Sequence, residues 1–502
     1  MNEAEFLQDC AARYRACRHE RTKHMNLEQL EELILQGQIE LGQKLLQSRL
    51  EEDPRRKPEG ECACPRCGRS LRIQKESQRR NLRTLLGAVL YWRAYGVCDA
   101  CGYSGAPLDE ALGIPRRGPS VGALRKICHA AVVVDSFKDA QEMLRSLAGI
   151  IFGRQRVRTL AEREGQRMVK ERAAEIESVK ARGGEMECEA KPDLLVIAAD
   201  GGRVQMRTPK LEDVDEKPRP PAADEQPKPE DVDKKPKSPT PDEQPEPEDR
   251  KKKGRWRENR VGVVYDAQPQ EEPDAEPEKY EGAKAHIKTF VATMENWETF
   301  GWMLWVEALR RGYAFACEVV FLADGAKHIR DLKNLHFPTA QFILDWYHAV
   351  EHLGDCAKAA FGEGTKAAKN SYKKWKQMLW GGEVETIIEQ LQKLSREAGA
   401  PEKGDPEGSP RKVLHQNAYS FFPNNKDAMD YPLYRSRGWP IGSGVAEGGV
   451  KQFAKRLKGS EKFWNLSNTG AEEMLGLCAL HKSEDGRWDR YWSRRAAGGL
   501  DR

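Results

Sequence analysis

Apolar residues recur at roughly helical spacing over 26–52, where Leu27, Leu30, Ile34, Leu41, Leu45 and Leu46 define an amphipathic helix and Asn26 is placed to cap its start. This is a packing or pairing helix with no chemistry of its own. Residues 118–185 are mostly helical by the same criterion. Within them Ser136 caps a helix with apolar positions at Phe137, Ala140, Met143, Leu144 and Leu147, Gly149 breaks it, and an arginine-rich helix follows from about Arg154 to Gly165. That outline fits a DNA-reading helix-turn-helix, and it fits a plain helical hairpin equally well. Further on the pattern changes to short apolar runs. LLVIAAD at 194–200, RVGVVY at 260–265, EVVFLAD at 318–324 and QFILD at 341–345 read as buried strands, with Val204–Arg207 pairing back on the first of them. Helical patterns at 295–312, 346–400 and 444–458 alternate with these strands, which predicts an α/β sheet domain.

Between the first two runs lies a segment with no such pattern. Residues 209–249 hold 11 of the 28 prolines, and EDVD at 212–215 and DEQP at 224–227 each return 18 residues later. With few apolar side chains this segment cannot offset its ordering entropy, so it reads as a disordered insert, here taken as 209–253. It also masks the charge of the rest. The formal net charge is +4, but residues 210–249 carry 14 acidic and 7 basic side chains, which leaves 76 basic against 65 acidic elsewhere. A basic body suits a protein that meets an anionic polymer, and it also suits a merely solubilising surface. No apolar run approaches membrane-spanning length, and the start, MNEAEFLQDC, lacks a signal-peptide core, so a soluble cytoplasmic protein is expected.

Twelve cysteines in a reducing compartment point to metal ligands or buried thiols. Cys64-Pro-Arg-Cys67-Gly68 and Cys98-Asp-Ala-Cys101-Gly102 are two matched knuckles. Two thiolates three positions apart can share one tetrahedral zinc, and the glycine after each pair permits the tight turn. Together they predict a closed, structural four-sulfur site, with Cys62 as a nearby spare thiol. The spacer can form a hairpin bearing Arg69, Arg72, Lys75, Arg79, Arg80, Arg83 and Arg93, of which Arg79, Arg80 and Arg83 are the expected DNA contacts.

Asp200, Asp324 and Asp345 each end an apolar run, and the first two precede glycine, in DGG and DGA. A lone Asp-Gly is usually a turn, but acids at strand ends of an open α/β sheet are where functional groups gather. Glu447 stands in the first turn of a helix entered through IGSG, followed by Lys451, Lys455, Arg456 and Lys458. The acid can ligate a divalent cation while the cations behind it hold phosphates; otherwise it simply complements the helix dipole.

These residues, together with PLDEALGI at 107–114, SFKDAQEMLRSLAG at 136–149, FILDWYHAVEHL at 342–353 and WPIGSGVAEGGVKQFAKRLKGSEKFW at 439–464, run in one order over 60–495. In that order the chain resembles the ISKra-type insertion-sequence transposases, a branch of the DDE transposases. The resemblance implies a multidomain α/β protein with a ribonuclease H-like catalytic core. Its parts are an N-terminal helical segment (1–58), a zinc ribbon (59–106), a helical DNA-binding region (107–186), a core in two pieces (190–355 and 436–502) and a helical insertion (356–435). It implies Asp200, Asp324 and Glu447 as the catalytic triad, holding Mg²⁺ or Mn²⁺, with Lys451, Lys455 and Arg456 on DNA. The implied activity is cleavage and transfer of DNA strands at element ends by a homodimer or larger multimer in a bacterial cytoplasm, at the nucleoid. Asp345, His348 and His352 fall in the LD-x-YHA-x-EHL stretch, where the two histidines share a helix face and could position the site or bind metal. The sequence departs from the family at Gly202, where Thr or a similar residue is usual, and at Glu461–Phe463. A catalytically silent copy serving as a zinc-ribbon DNA-binding regulator, and a different ribonuclease H-like nuclease, are the rival readings. Deleting 209–249 is expected to leave the melting temperature unchanged, which thermal unfolding checks directly; a protein that aggregates would show the segment to be structural.

Overall fold

The computed structural model describes residues 3–19, 22–58, 62–188, 190–207, 255–458, 464–465 and 469–497. The proline-rich insert expected at 209–253 and residues 461–463 lie outside them. Two helices, α1 (Glu3–Cys17) and α2 (Leu27–Glu52), come first. α2 starts where the sequence places it, because the Gln29 N–H donates to Asn26 Oδ1 (2.9 Å) and the Asn26 N–H donates to Gln29 Oε1 (3.0 Å).

The cysteine-rich module is an antiparallel sheet of four strands in chain order, β1 (Cys62–Ala63), β2 (Ser70–Thr84), β3 (Gly87–Val97) and β4 (Ser104–Gly105). The expected hairpin is β2–β3. Its pleat sorts the arginines, since Arg79 and Arg83 point outward while Leu82 and Thr84 turn inward with Arg80. Arg80 is therefore not the DNA contact expected of it. With Arg93, which is buried, it donates to Asp109 Oδ2 (2.7 and 2.9 Å), and Tyr91 donates to Asp109 Oδ1 (2.6 Å). Asp109 sits on the short helix α3 (Pro107–Ala111), so this buried ionic knot fastens the ribbon to the chain that follows.

Three longer helices come next, α4 (Val121–Val133), α5 (Phe137–Ala148) and α6 (Arg154–Ala181). Ser136 caps α5 by accepting from the Asp139 N–H, and Gly149, at φ +61°, ends it in the left-handed conformation that glycine adopts most easily. α6 runs well past Gly165 because buried positions continue along it to Ile176 and Val179. Its first half packs Val157, Leu160 and Ala161 inward and leaves Arg154, Arg156 and Arg163 exposed.

The large sheet is built from β5 (Leu194–Arg207), β6 (Arg255–Gln268), β7 (Lys284–Thr293), β8 (Glu318–Ala323) and β9 (Gln341–Leu344), in the order β7-β6-β5-β8-β9. β6 is antiparallel to both β5 and β7, whereas β5, β8 and β9 are parallel. Residues 204–207 do not fold back as expected. They continue β5, because Gly201 and Gly202 stay extended and pair with Arg260 and Asn259. Helix α7 (Trp297–Arg310) follows β7, and α8 (Lys327–His336) joins β8 to β9. After β9 the chain is helical through α9 (Trp346–Phe361), α10 (Lys366–Trp380), α11 (Val384–Ala398), α12 (Pro410–Gln416), a π-helical turn at 417–421, α13 (Phe422–Asn425) and α14 (Tyr431–Ser436). α9 crosses the expected boundary at 355/356 without a break. It then returns to the sheet with α15 (Gly444–Leu457), β10 (Trp464–Asn465), α16 (Gly470–Lys482) and α17 (Arg487–Ala496).

Adjacent residues of β6 show how the sheet is covered. A Cβ at Gly262 would meet Leu304 and Phe300 of α7, while Gly449 of α15 stands over Val261. Helices therefore lie on both faces, and β5 reads as an unbroken apolar run from Leu194 to Ala199, every residue of it buried. No helix among the described residues is long and apolar enough to cross a membrane.

Candidate active site and metal centre

The two cysteine knuckles are built alike. In each, the glycine N–H donates to the first cysteine's carbonyl (Gly68 to Cys64 and Gly102 to Cys98, both 2.9 Å), and both glycines have φ near +70° (+74° and +69°). The sulfurs of Cys64, Cys67, Cys98 and Cys101 all lie within 4.8 Å of one another, with Cys64–Cys101 and Cys67–Cys98 at 3.6 Å. Four sulfurs about 2.3 Å from a tetrahedral zinc would stand about 3.8 Å apart, so the cluster fits that ion and could hold it. Its electrostatics agree. Desolvation opposes ionisation of Cys98, but backbone N–H groups of Cys101 and Ala100 and the adjoining thiols outweigh it and bring this thiol down to about 7. The Tyr103 N–H favours the Cys101 thiolate, yet desolvation and the neighbouring sulfurs push it up to about 12. One thiolate thus suppresses the next, and four together require a cation. Cys62 takes no part in the cluster.

The carboxylates are brought together by strand register. β5 and β8 pair in parallel with Leu194 level with Glu318 and Ala198 level with Leu322. Carried two residues past the last of these pairs, the same offset brings Asp200, still in β5, beside Asp324, the first residue after β8, and the Asp324 charge bears on Asp200. Asp200 thus lies within β5, while Asp324 follows directly on β8 and accepts from the Ala326 N–H (3.0 Å) across a turn at Gly325, φ +81°. Of the two Asp-Gly pairs, only the second is a turn. Across the sheet Asp200 pairs with Val261, the residue beneath Gly449, so α15 covers the face that Asp200 points from. Glu447 is half a turn earlier on that helix. Burial raises the Asp200 carboxyl above its ordinary value, and the charges of Asp324 and Glu447 add to this, against the Gly201 N–H (2.6 Å) and His348. The acids form a looser set than the thiols; among the described residues only the thiols close to within 4.8 Å.

Two features hold α15 in place. Gly449 allows its backbone close to the sheet, since a Cβ there would lie 2.9 Å from Phe290. Asp345, fully buried, anchors the segment that precedes the helix: its Oδ1 accepts from the N–H groups of Tyr347 (2.6 Å) and His348 (3.2 Å), and its Oδ2 from that of Ser443 (2.6 Å). Asp345 is thus a positioning residue that ties the start of α9 to the entry of α15.

Lys451 and Lys455 are exposed, and Lys451 donates to Glu447 (3.1 Å). Arg456 is a correction. The inward stripe of α15 runs Ala446, Gly449, Phe453, Arg456, Leu457, and the Arg456 guanidinium is buried, donating to Ala131 O (2.5 Å) at the end of α4 and lying 4.3 Å from the Phe137 ring. It joins helices and is closed to DNA. The two histidines of α9 diverge, for His352 bonds to Asn417 Oδ1 (2.7 Å) and stacks on Phe421, while His348 is near Asp200. A cleft of about 400 Å³ opens beside Asp200 and Asp324, lined also by Trp297, His328, Glu258 and Lys458. Trp297 and His328, in contact at 4.4 Å between ring centres, were not legible as site residues, because Trp297 lies in a stretch whose helical pattern reads as packing and His328 in one to which the sequence assigns no element. At Gly202 a Cβ would lie 2.6 Å from Asn259 Oδ1, so the buried Asn259 occupies the room that a larger residue would take.

Purified protein is expected to contain one zinc per chain by elemental analysis, and Cys98→Ser to lose it. Asp345→Asn, with one acceptor oxygen in place of two, should lower stability by roughly 1–3 kcal/mol in thermal or denaturant unfolding. The raised Asp200 carboxyl contributes stability below the ordinary carboxylate range that is lost as pH rises through its own value. Asp200→Asn in metal-free protein should therefore melt no lower than wild type at neutral pH, and a lower melting temperature would place Asp200 in a stabilising role instead. No protein-family model matches this chain, and neither does any curated protein sequence.

Proposed function

We propose that this chain is a DNA transposase of the insertion-sequence kind, with a ribonuclease H-like core that cleaves and joins DNA strands. The observation that carries the reading is the approach of Asp200, within β5, and Asp324, at the end of the adjoining parallel strand β8, with Glu447 on the helix over the face of Asp200. An Asp200 carboxyl raised first by burial and then by the charges of Asp324 and Glu447 fits an acid set made for cations and met without them. Asp200 and Asp324 would hold two divalent cations and Glu447 one of them. Such ions, Mg²⁺ or Mn²⁺, activate an attacking oxygen and stabilise a leaving one in phosphodiester exchange.

The chain's own groups supply the rest. Asp345 fixes the approach of Glu447 to the strands. Lys451 neutralises Glu447 in the absence of substrate and can turn to a phosphate once a cation takes the carboxylate, while exposed Lys455 lies one turn further along. Arg79 and Arg83, outward on the ribbon, and the exposed arginines of α6 are the remaining cations suited to duplex backbone. DNA ends and target DNA are the partners on this reading.

The test is a cleavage and strand-transfer assay with Mg²⁺ or Mn²⁺, on a labelled duplex carrying the DNA that flanks the gene. Wild type should give cut and joined products. Asp200→Asn, Asp324→Asn and Glu447→Gln should each lose at least about 100-fold in cleavage while still binding the duplex. Cleavage retained in any of the three would sink the assignment of that acid. Cutting without joining would indicate a nuclease, and specific binding with no cutting in either metal would indicate a silent regulator.

A further inference from the structure

The N-terminal helices carry apolar surface that no other described residue covers. Leu7, Tyr14, Leu27, Ile34, Leu35 and Leu45 are all exposed, Leu27 by 71%. Among the described residues nothing in α1 is buried, and nothing in α2 before Ser48. Only the last turns of α2 reach a core, through Leu46 and Leu50 against the ribbon hairpin. Ion pairs join α1 to α2, Arg13 to Glu40 and Lys44 to Asp9, both at 3.1 Å, and the apolar Phe6, Leu30 and Leu33 are no more than half-buried. Exposed ion pairs contribute little, and helices of this length draw most of their stability from a packed apolar face.

The exposed positions are not scattered. Leu27, Ile34 and the half-buried Leu41 are seven residues apart, and with Leu45 they fall within about 40° of one another on a helix of 100° per residue, a stripe about 27 Å long. Leu7 and Tyr14 repeat the seven-residue spacing on α1. A seven-residue period is the seam of a left-handed helix pair, which selects a helical partner of the same period. Charge beside the seam selects further. The first half of α2 carries Glu28, Glu31 and Glu32, and the second half of α1 carries Arg13 and Arg15, with Arg18 just past its end. A two-fold axis relating two such hairpins can set each acidic half against a basic one.

We propose that two copies of the chain pair through α1 and α2, forming a four-helix bundle around the Leu27–Ile34–Leu41 stripe. The inference does not rest on the reading of the carboxylates. Light scattering of the full chain after size exclusion should give the mass of two chains in the micromolar range, and Leu27→Glu/Ile34→Glu the mass of one. Leu45→Glu should weaken pairing in the same direction, while Leu27→Met/Ile34→Leu, which keeps the stripe apolar, should pair like wild type. Unchanged zinc content and melting of the sheet domain would show that each variant is folded. A wild type with the mass of one chain would overturn the proposal. So would a folded double variant that keeps the mass of two, because pairing would then lie elsewhere.

Discussion

The register between β5 and β8 governs what the rest of the molecule can do. Displaced by one residue, Asp200 would point from the opposite face of the sheet, away from Asp324 and from α15. Alternation cannot set this register, since the paired runs are apolar on both faces and fit as well one step along. Polar ties at the entrance set it instead. The N–H groups of Cys317 and Glu318 donate to the carbonyls of Pro192 and Asp193 (3.1 and 2.9 Å). The Glu318 carboxylate is itself gripped by Arg437 and by the Trp439 indole N–H, both at 2.7 Å.

Those grips come from the same stretch that leads into the helix of Glu447. From Arg437 the chain passes Trp439, donates nothing at Pro440, meets the Trp346 N–H with its Ile441 carbonyl (2.8 Å), and reaches Asp345 through Ser443. One segment therefore fixes strand register at one end of β8 and helix position at the other. Behind it, buried carboxylates brace the C-terminal helices. Glu472 accepts from Arg172 and Thr293 (both 2.9 Å), and Glu164 from Tyr491 and Arg495 (2.7 and 3.0 Å). Burial would raise the Glu307 carboxyl, but Arg487 and Arg310 hold it far below the usual carboxylate range. Such pairs are costly to break, because the surviving partner would be left charged in the interior.

The parts of this arrangement that were legible in the sequence are those written in local spacing. Paired Cys-x-x-Cys-Gly, the caps at Asn26 and Ser136, and acids after apolar runs all depend on residues a few positions apart. What was not legible depends on phase against a distant surface. Arg79 and Arg80 are neighbours of identical chemistry, and only the pleat of β2 against α3 decides that one faces solvent and the other Asp109. Lys455 and Arg456 are separated in the same way by the face that α15 turns to the sheet. His348 and His352 share a helix face, yet one lies toward Asp200 and the other is taken up by Asn417 in a chain segment 65 residues away. The turn expected at Asp200-Gly201-Gly202 failed for a related reason. Glycine permits a turn without requiring one, and a partner strand more than 50 residues on, β6, supplies the hydrogen bonds that keep it extended.

Residues 200–202 also break two rules that the remainder of the sheet obeys. Consecutive glycines weaken the interior of a strand, and two carboxylates brought together, Asp200 in β5 and Asp324 at the end of β8, repel. Neither is a defect of packing, for the flanking strand from Leu194 to Ala199 is buried and Asn259 closes the space above Gly202. The fold thus supplies enough burial on either side to carry a local cost where small residues and like charges are concentrated. A sequence consistent with its structure at every other level departs from it where function is asked of it. On the reading proposed for it, the carboxylate row is such a place, and a cation bridging the acids would turn the repulsion among them into binding.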